Sequence, residues 1–248
     1  MHSDVTDLRA FYTASLGQVT QRFVGAAIGR FWRDVSGLRI LGLGYATPYL
    51  AGFADRAERQ LAFMPATQGV VRWPPTGPAA SALVDPTAMP LPDAAVDRVL
   101  LVHGLEPSDS PESLLAEIWR ILAPAGRLIL VVPNRRGLWA RLDTTPFGEG
   151  RPYSRSQLRA LLRNAMFSPE GWIDTLFVPP IRSRVLLRGA VAWERVGLAL
   201  ALPVHGVHVI EATKLWHRPI AIRSQQRERR RNPVLVPVPA TRDVLPRP

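Results

Sequence analysis

The sequence of 248 residues contains no cysteine and a single lysine, Lys214. Without thiols it can form no disulfide scaffold, thiolate nucleophile or cysteine-ligated zinc or iron–sulfur site. Its N-terminal residues lack the basic-then-apolar order of a signal peptide. The longest apolar run in the C-terminal part of the chain, 197–204, is far shorter than the roughly 20 residues of a membrane helix. We therefore expect a cytoplasmic protein without a membrane span.

Acidic residues are outnumbered, 20 against 31 basic ones, which gives a net charge of +11. Residues 218–248 carry eight arginines and only two acids. Their Arg/Pro-rich composition has no hydrophobic period, which predicts a disordered tail. The arginine cluster at 227–231 would suit nonspecific contact with nucleic-acid phosphates. We favour a solubilising tail shaped by the codon bias of a GC-rich genome.

Apolar residues make up 47% of the chain, enough for a full core. Helical spacing over 5–33 predicts one N-terminal helix, so residues 1–36 are assigned to a helix that packs on the core. Residues 37–217 form the main domain. Buried strands alternate there with helices, which predicts an α/β fold with a parallel sheet covered on both faces. The strands are predicted at 38–44, 59–64, 80–84, 96–102, 127–132, 171–178 and 205–213. The helices are predicted from Thr47, from Ser110 to Ala125-Gly126, after a capping box at Ser154 and Gln157, and at 181–200.

A glycine-rich turn follows the first predicted strand, in Leu41-Gly42-Leu43-Gly44-Tyr45-Ala46. Glycines let the backbone approach a ligand that a Cβ would push away, and the helix beginning at Thr47-Pro48 favours a carboxylate. A tight strand-to-helix turn without a ligand is the competing interpretation.

Three further segments follow that turn in a recognisable order. They are Asp85-Pro86-Thr87-Ala88-Met89-Pro90, Val96-Asp97-Arg98-Val99, and the run from Glu117 through Pro124-Ala125-Gly126 to Leu128. With these segments the chain resembles class I S-adenosylmethionine-dependent methyltransferases, within the bacterial type 11 methyltransferase group, over roughly residues 7–216. The resemblance implies a Rossmann-like sheet of seven mostly parallel strands, the last antiparallel, and S-adenosylmethionine as the cofactor.

The resemblance also implies a set of cofactor-binding residues. Asp85 matches the acid that accepts a hydrogen bond from the adenine amino group, and Met89 matches the apolar residue beside it. His103 ends a buried strand at the cleft, where an imidazole could act as a general base; a structural histidine is the competing interpretation. The complete predicted set is Gly42, Gly44, Tyr45, Ala46, Met64, Asp85, Met89 and His103.

A basic segment after the strand at 127–132 is a candidate acceptor-binding loop, because it follows the end of a strand that faces the cleft. It would bind an anionic or aromatic methyl acceptor. The competing interpretation is a solvated basic loop anchored by Trp139 and Phe147. The loop residues predicted to contact the acceptor are Asn134, Arg135, Arg151 and Tyr153.

Four positions depart from the family pattern. Ala46 stands at the third glycine of the turn, which is acceptable for an L-residue if its φ is negative. Ile40 stands where the family has an acid before the glycines, and Met64 where it has the acid that grips the ribose. Pro86 lacks the backbone N–H that would donate to adenine. Two functions therefore stay open: a methyltransferase with an unidentified acceptor, or a non-catalytic binding or scaffold protein whose cofactor binding is lost or weakened. The sequence indicates no metal site and identifies no oligomeric state.

Overall fold

The computed structural model describes residues 4–142, 145–181, 183–200 and 203–216. The predicted disordered tail lies outside the described residues. The strands are β1 Arg39–Gly44, β2 Arg59–Pro65, β3 Ser81–Val84, β4 Val96–Val102, β5 Leu122–Pro133, β6 Phe167–Thr175 and β7 Val207–Lys214. The α-helices are α1 Val5–Thr13, α2 Ser15–Phe31, α3 Thr47–Leu50, α4 Pro111–Ile121, α5 Arg155–Asn164, α6 Arg184–Arg188 and α7 Ala190–Ala199. Short 3-10 helices are Ala51–Phe53, Trp139–Arg141 and Pro146–Gly148.

The seven strands form one sheet in the order β3-β2-β1-β4-β5-β7-β6. All neighbouring pairs from β3 to β5 are parallel, and β7 runs antiparallel to both β5 and β6. This confirms the predicted mostly parallel sheet with an antiparallel last strand. The strand order reverses between β1 and β4, and such a switch point opens a crevice at the carboxyl ends of the strands.

Helices cover both faces of the sheet, as predicted. One apolar cluster joins the sheet to α1 and α2 through residues such as Leu8 and Ile28. The other joins it to α4 and α5 through residues such as Leu115 and Leu158. Among the residues that the structure describes, no helix is both long and apolar enough to cross a membrane.

The N-terminal segment forms two helices, and the prediction of one continuous helix was wrong. Ala14 is extended, with φ −75° and ψ 158°, and separates α1 from α2. Gly17 then lies so near α1 that a Cβ on it would be 2.0 Å from the carbonyl oxygen of Phe11. Glycine therefore permits a sharp turn between the two helices, which a continuous 3.6-residue period does not reveal.

Several other boundaries also differ from the expected ones. The strand predicted at 171–178 is β6, Phe167–Thr175, and the strand predicted at 127–132 begins earlier, at Leu122. Helix α4 ends at Ile121 instead of Ala125-Gly126, because Leu122 already pairs with Val96 across an irregularity in the β4–β5 ladder. The helix predicted at 181–200 is divided into α6 and α7 at Gly189. The capping box at Ser154 and Gln157 is confirmed at the start of α5.

Candidate cofactor and acceptor site

The glycine turn lies where β1 and β4 end side by side. Gly44 pairs with Val102, and the N–H of Tyr45 donates to the Val102 carbonyl at 2.8 Å. Gly44 has φ +75°, and a Cβ on it would lie 2.2 Å from the same carbonyl oxygen. Only glycine fits at this close approach of β1 to β4, because both the backbone conformation and the lack of space exclude a side chain. Ala46, at the third glycine position of the family pattern, has φ −87°, which suits an L-residue.

Gly42 serves the packing of α3 on β1. A Cβ on Gly42 would come within 2.7 Å of Leu50 Cδ1 and 2.9 Å of Ala46 Cβ. The packing of the turn therefore requires both glycines. The competing interpretation, a tight strand-to-helix turn without a ligand, predicts the same requirement. Their role in binding a cofactor stays a prediction.

The space in front of this turn is occupied by Tyr12 of α1. The Tyr12 ring stacks on Tyr45 with centroids 5.6 Å apart. The Tyr12 hydroxyl lies 2.9 Å from His103 Nε2 and 3.1 Å from the Tyr49 hydroxyl. Phe147 lies on the other side of His103, with ring centroids 4.5 Å apart. All five side chains are buried, so α1 closes the crevice at the switch point.

Burial sets the protonation of this aromatic cluster. It lowers the pKa of His103 to about 3, so the imidazole is neutral near neutral pH. It also raises the pKa of the Tyr12 and Tyr49 hydroxyls, which stay protonated. The geometry suits a chain in which Tyr49 donates to Tyr12 and Tyr12 donates to His103. His103 also has a positive φ of 50°, a strained conformation that is frequent at functional sites.

A small cavity of about 30 Å³ remains beside the cluster. It is lined by residues that follow β2 and β4, together with α1 and the segment after 145, among them Leu8, Gln68, His103, Glu106, Pro146 and Gly150. Both carboxylate oxygens of Glu106 are buried and accept no well-formed hydrogen bond among the described residues, although the backbone N–H groups of Leu105 and Glu106 partly favour the charged form. Burial raises the pKa of Glu106 to about 7.

Gln68 gives the cavity a second acceptor. Its Nε2 donates to the His103 carbonyl at 3.1 Å, while its Oε1 is buried and has no partner among the described residues. Buried acceptors without partners are costly, so the cavity is suited to a group that donates hydrogen bonds. Sequence reasoning missed both Gln68 and Glu106. The available signal for Glu106 was its place three residues after His103, in the segment leaving a buried strand.

The other predicted cofactor residues lie apart from this cluster or deep within the core. Met64 is fully buried, and its sulfur accepts a hydrogen bond from Val71 N at 3.4 Å. Asp85 is exposed, and its Oδ1 accepts from the Thr87 N–H at 2.8 Å and from the Thr87 hydroxyl at 2.7 Å. These bonds lower the pKa of Asp85. Met89 is buried in the apolar cluster on the α4 side. The contacts of all three with a cofactor stay predictions.

The candidate acceptor loop is held mainly through Asn134. This side chain is buried and donates from Nδ2 to the carbonyls of Pro203, at 3.1 Å, and His205, at 3.0 Å. Asn134 also forms an isolated bridge with Tyr153, which is half-buried. Arg135 and Arg151 are exposed, whereas the loop residues Trp139 and Phe147 are buried. The structure thus joins Asn134 to Tyr153 and leaves the two arginines facing solvent.

Comparisons with known proteins agree with this architecture. Residues 24–130 match the family described as methyltransferase domain. Demethylmenaquinone methyltransferase of Thermus thermophilus is 30% identical over 98 residues, an alignment that covers 38% of this chain and 36% of that protein. The chain therefore matches only about a third of the length of this curated relative.

Solved structures show the same fold at low identity. An S-adenosylmethionine-dependent methyltransferase from Mesorhizobium loti aligns with a TM-score of 0.56 and 16% identity, over 76% of this chain and 96% of that one. The [4+2]-cyclase SpnF aligns with a TM-score of 0.55 and 20% identity, over 80% and 82% of the two chains. The fold is thus that of class I methyltransferases. Residues 24–130 are similar to the methyltransferase domain family, and the solved structures show the fold.

Proposed function

We propose that this protein transfers a methyl group from S-adenosylmethionine to an acceptor that donates a hydrogen bond from the atom to be methylated. The observation that carries the proposal is the methyltransferase match over residues 24–130, which includes the glycine turn after β1 and the end of β4. The preference for an acceptor that donates a hydrogen bond is supported by the buried carboxylate of Glu106, which lines a cavity together with His103.

The cofactor fits the cleft only when Tyr12 has moved, because the ring of Tyr12 covers Tyr45 and its hydroxyl contacts His103. With α1 displaced, the residues that would hold the cofactor are Gly42, Gly44, Tyr45, Ala46, Met64, Asp85, Met89 and His103. When bound, S-adenosylmethionine supplies a methyl group on a sulfonium, so the protein has mainly to position the acceptor in a dry site.

Glu106 is suited to receive the proton of the acceptor. A general base works best when its pKa lies near the working pH, and burial raises the pKa of Glu106 to about 7. His103, whose pKa burial lowers to about 3, is a weaker base there and is suited to orienting the acceptor. An amine or hydroxyl acceptor would also supply the hydrogen bonds that Glu106 and Gln68 lack among the described residues.

Isothermal titration with S-adenosylhomocysteine tests cofactor binding. We expect one S-adenosylhomocysteine site per chain, with a micromolar to submillimolar Kd. Asp85→Ala should weaken binding by about tenfold or more, because a hydrogen bond to a charged acceptor is worth about 1.5–3 kcal/mol. Asp109→Ala removes another exposed aspartate and is the matched control. Equal affinities for the two variants would contradict the role given to Asp85.

The non-catalytic alternative is favoured by one observation, the closure of the crevice by Tyr12. The similarity to a structure described as a [4+2]-cyclase shows that the fold is not confined to proteins described as methyltransferases. Absence of binding heat at millimolar S-adenosylhomocysteine, in both the native protein and Tyr12→Ala, would establish this alternative and refute the enzymatic proposal.

A further inference from the structure

Three potential metal ligands converge at the other end of the carboxyl edge of the sheet. Asp174 near the end of β6 pairs directly with His208 of β7, and His205 precedes β7. Side chains of directly opposed residues lie on the same face of a sheet, which brings Asp174 and His208 together. Strands β4 and β5 separate this group from the glycine turn on β1.

The three ligand atoms form a compact triangle. Asp174 Oδ1 lies 2.8 Å from His208 Nδ1 and 3.2 Å from His205 Nε2. The two imidazole nitrogens are 3.2 Å apart. Tetrahedral zinc, with bonds of about 2.0–2.2 Å, places neighbouring ligand atoms about 3.3 Å apart. An ion could therefore bind above this triangle after shifts of only a few tenths of an ångström.

The surroundings hold these side chains in place. Arg155 donates to Asp174 Oδ2 at 2.8 Å, which fixes the carboxylate and leaves Oδ1 directed at the histidines. Trp172 packs on His208 and Phe177 packs on His205 in T-shaped arrangements, each with ring centroids 5.8 Å apart. Such outer contacts orient metal ligands and raise affinity.

One side of the triangle adjoins a cavity of about 810 Å³, which is also lined by Arg30, Arg136, Arg155 and Arg159. Three protein ligands with an adjoining cavity are typical of catalytic rather than structural zinc sites. The arginines would favour a hydroxide or another anion at the fourth position.

We propose that Asp174, His205 and His208 bind one divalent zinc-class ion, with its fourth coordination position facing this arginine-lined cavity. Two imidazoles and one carboxylate suit Zn²⁺, Co²⁺ or Fe²⁺ better than Mg²⁺ or Ca²⁺, which prefer oxygen ligands. The site is independent of the methyltransferase proposal, because none of its residues belongs to the predicted cofactor set.

The test uses the entire 248-residue chain after treatment with a chelator. Titration with ZnCl₂ alone should show one ion per chain with micromolar or tighter affinity, and CoCl₂ should give the visible absorption of four-coordinate cobalt. His208→Gln and His205→Gln should each lower the Zn²⁺ affinity by more than the 10–100-fold typical of losing an outer contact. His217→Gln, which removes a histidine outside the described residues, is the control for adventitious binding.

Zn²⁺ should also raise the Tm of the native protein and of His217→Gln but not that of His208→Gln. Asp174→Asn, which keeps the shape of the side chain, serves if a histidine variant does not fold without metal. The proposal is overturned if the native protein binds no zinc. It is equally overturned if His205→Gln and His208→Gln retain native affinity while His217→Gln loses it. In either case Asp174 would serve only as the hydrogen-bond acceptor of the two histidines.

Discussion

The hydroxyl of Tyr12, on the first helix, lies 2.9 Å from Nε2 of His103 at the end of β4. This bond ties the N-terminal segment to the strand end where the class I fold opens its crevice. The same ring covers Tyr45 of the glycine turn. Tyr12 therefore both closes the crevice and, together with Leu8 and Phe11, packs α1 on the core. A ligand that needs the crevice must compete with the Tyr12 side chain.

Two substitutions of Tyr12 distinguish the contribution of its ring from that of its hydroxyl. Tyr12→Phe keeps the stacking and loses the bonds to His103 and Tyr49, so we expect a loss of about 1–2 kcal/mol in the free energy of unfolding and little change in cofactor affinity. Tyr12→Ala removes the ring, so it should cost about 3–5 kcal/mol of stability while binding S-adenosylhomocysteine about tenfold or more tighter. Urea unfolding and isothermal titration measure the two effects. If Tyr12→Ala binds no tighter than Tyr12→Phe, Tyr12 does not compete with the cofactor.

Phe147 supports the same cluster from the segment after β5. Its ring is 1% exposed and contacts His103, Phe11 and Trp139. Phe147→Ala should lower the free energy of unfolding by about 3–5 kcal/mol, because it leaves a cavity among packed rings. Leu138→Ala is the control in the same segment, since Leu138 is 44% exposed and should change stability by only about 0.5 kcal/mol. Similar urea midpoints for the two variants would show that this segment does not pack on His103 as described.

Gly44 should tolerate no side chain. Gly44→Ala combines a positive φ with a Cβ only 2.2 Å from the Val102 carbonyl oxygen, so we expect a loss of about 3 kcal/mol or more. Gly29→Ala is the opposite control, because a Cβ on Gly29 meets nothing within 4 Å inside α2. That change should stabilise the protein by up to about 1 kcal/mol. Thermal or urea unfolding of both variants checks the contrast, and a nearly neutral Gly44→Ala would contradict the close crossing of β1 and β4.

Much of the sheet could be predicted because its central strands are buried on both faces and appear in the sequence as continuous apolar runs. The apolar run at Val96–Val102, which is interrupted only by Asp97 and Arg98, coincides with β4. The break at Ala14 could not be predicted in this way, because alanine is the best helix former and carries no signal for an extended residue. The apolar stripe of the N-terminal segment included Tyr12, but periodicity does not tell which surface a stripe covers.

The polar clusters were missed for a different reason. Asp174 and His208 are 34 positions apart in sequence and meet only through the antiparallel register of β6 and β7. Gln68 and Glu106 meet at one cavity only because β2 and β4 both flank β1. Such groups depend on strand pairing, which no local pattern specifies. Glycine turns and capping boxes are local, and so they were recognised.

The buried carboxyl of Glu106 should make stability depend on pH. Burial raises its pKa from 4.5 to about 7, so the folded state binds more protons than the unfolded state between these values. Stability from this group is therefore fully present below about 4.5 and falls as the pH rises through about 7, by about 3 kcal/mol in all. His103 has the opposite dependence, since its lowered pKa of about 3 costs stability as the pH falls below about 6.5.

Glu106→Gln isolates the first effect, because His103 is present in both proteins and its contribution cancels in their difference. The variant should gain about 3 kcal/mol relative to the native protein between pH 4.5 and pH 8, as measured by urea unfolding across that range. Glu112→Gln, which removes an exposed carboxyl of α4, is the matched control for the loss of a carboxylate. A difference between Glu106→Gln and the native protein that does not change with pH would mean that water or a neighbouring group reaches the Glu106 carboxylate in solution. Glu106 would then lack the raised pKa on which its proposed role as the base rests.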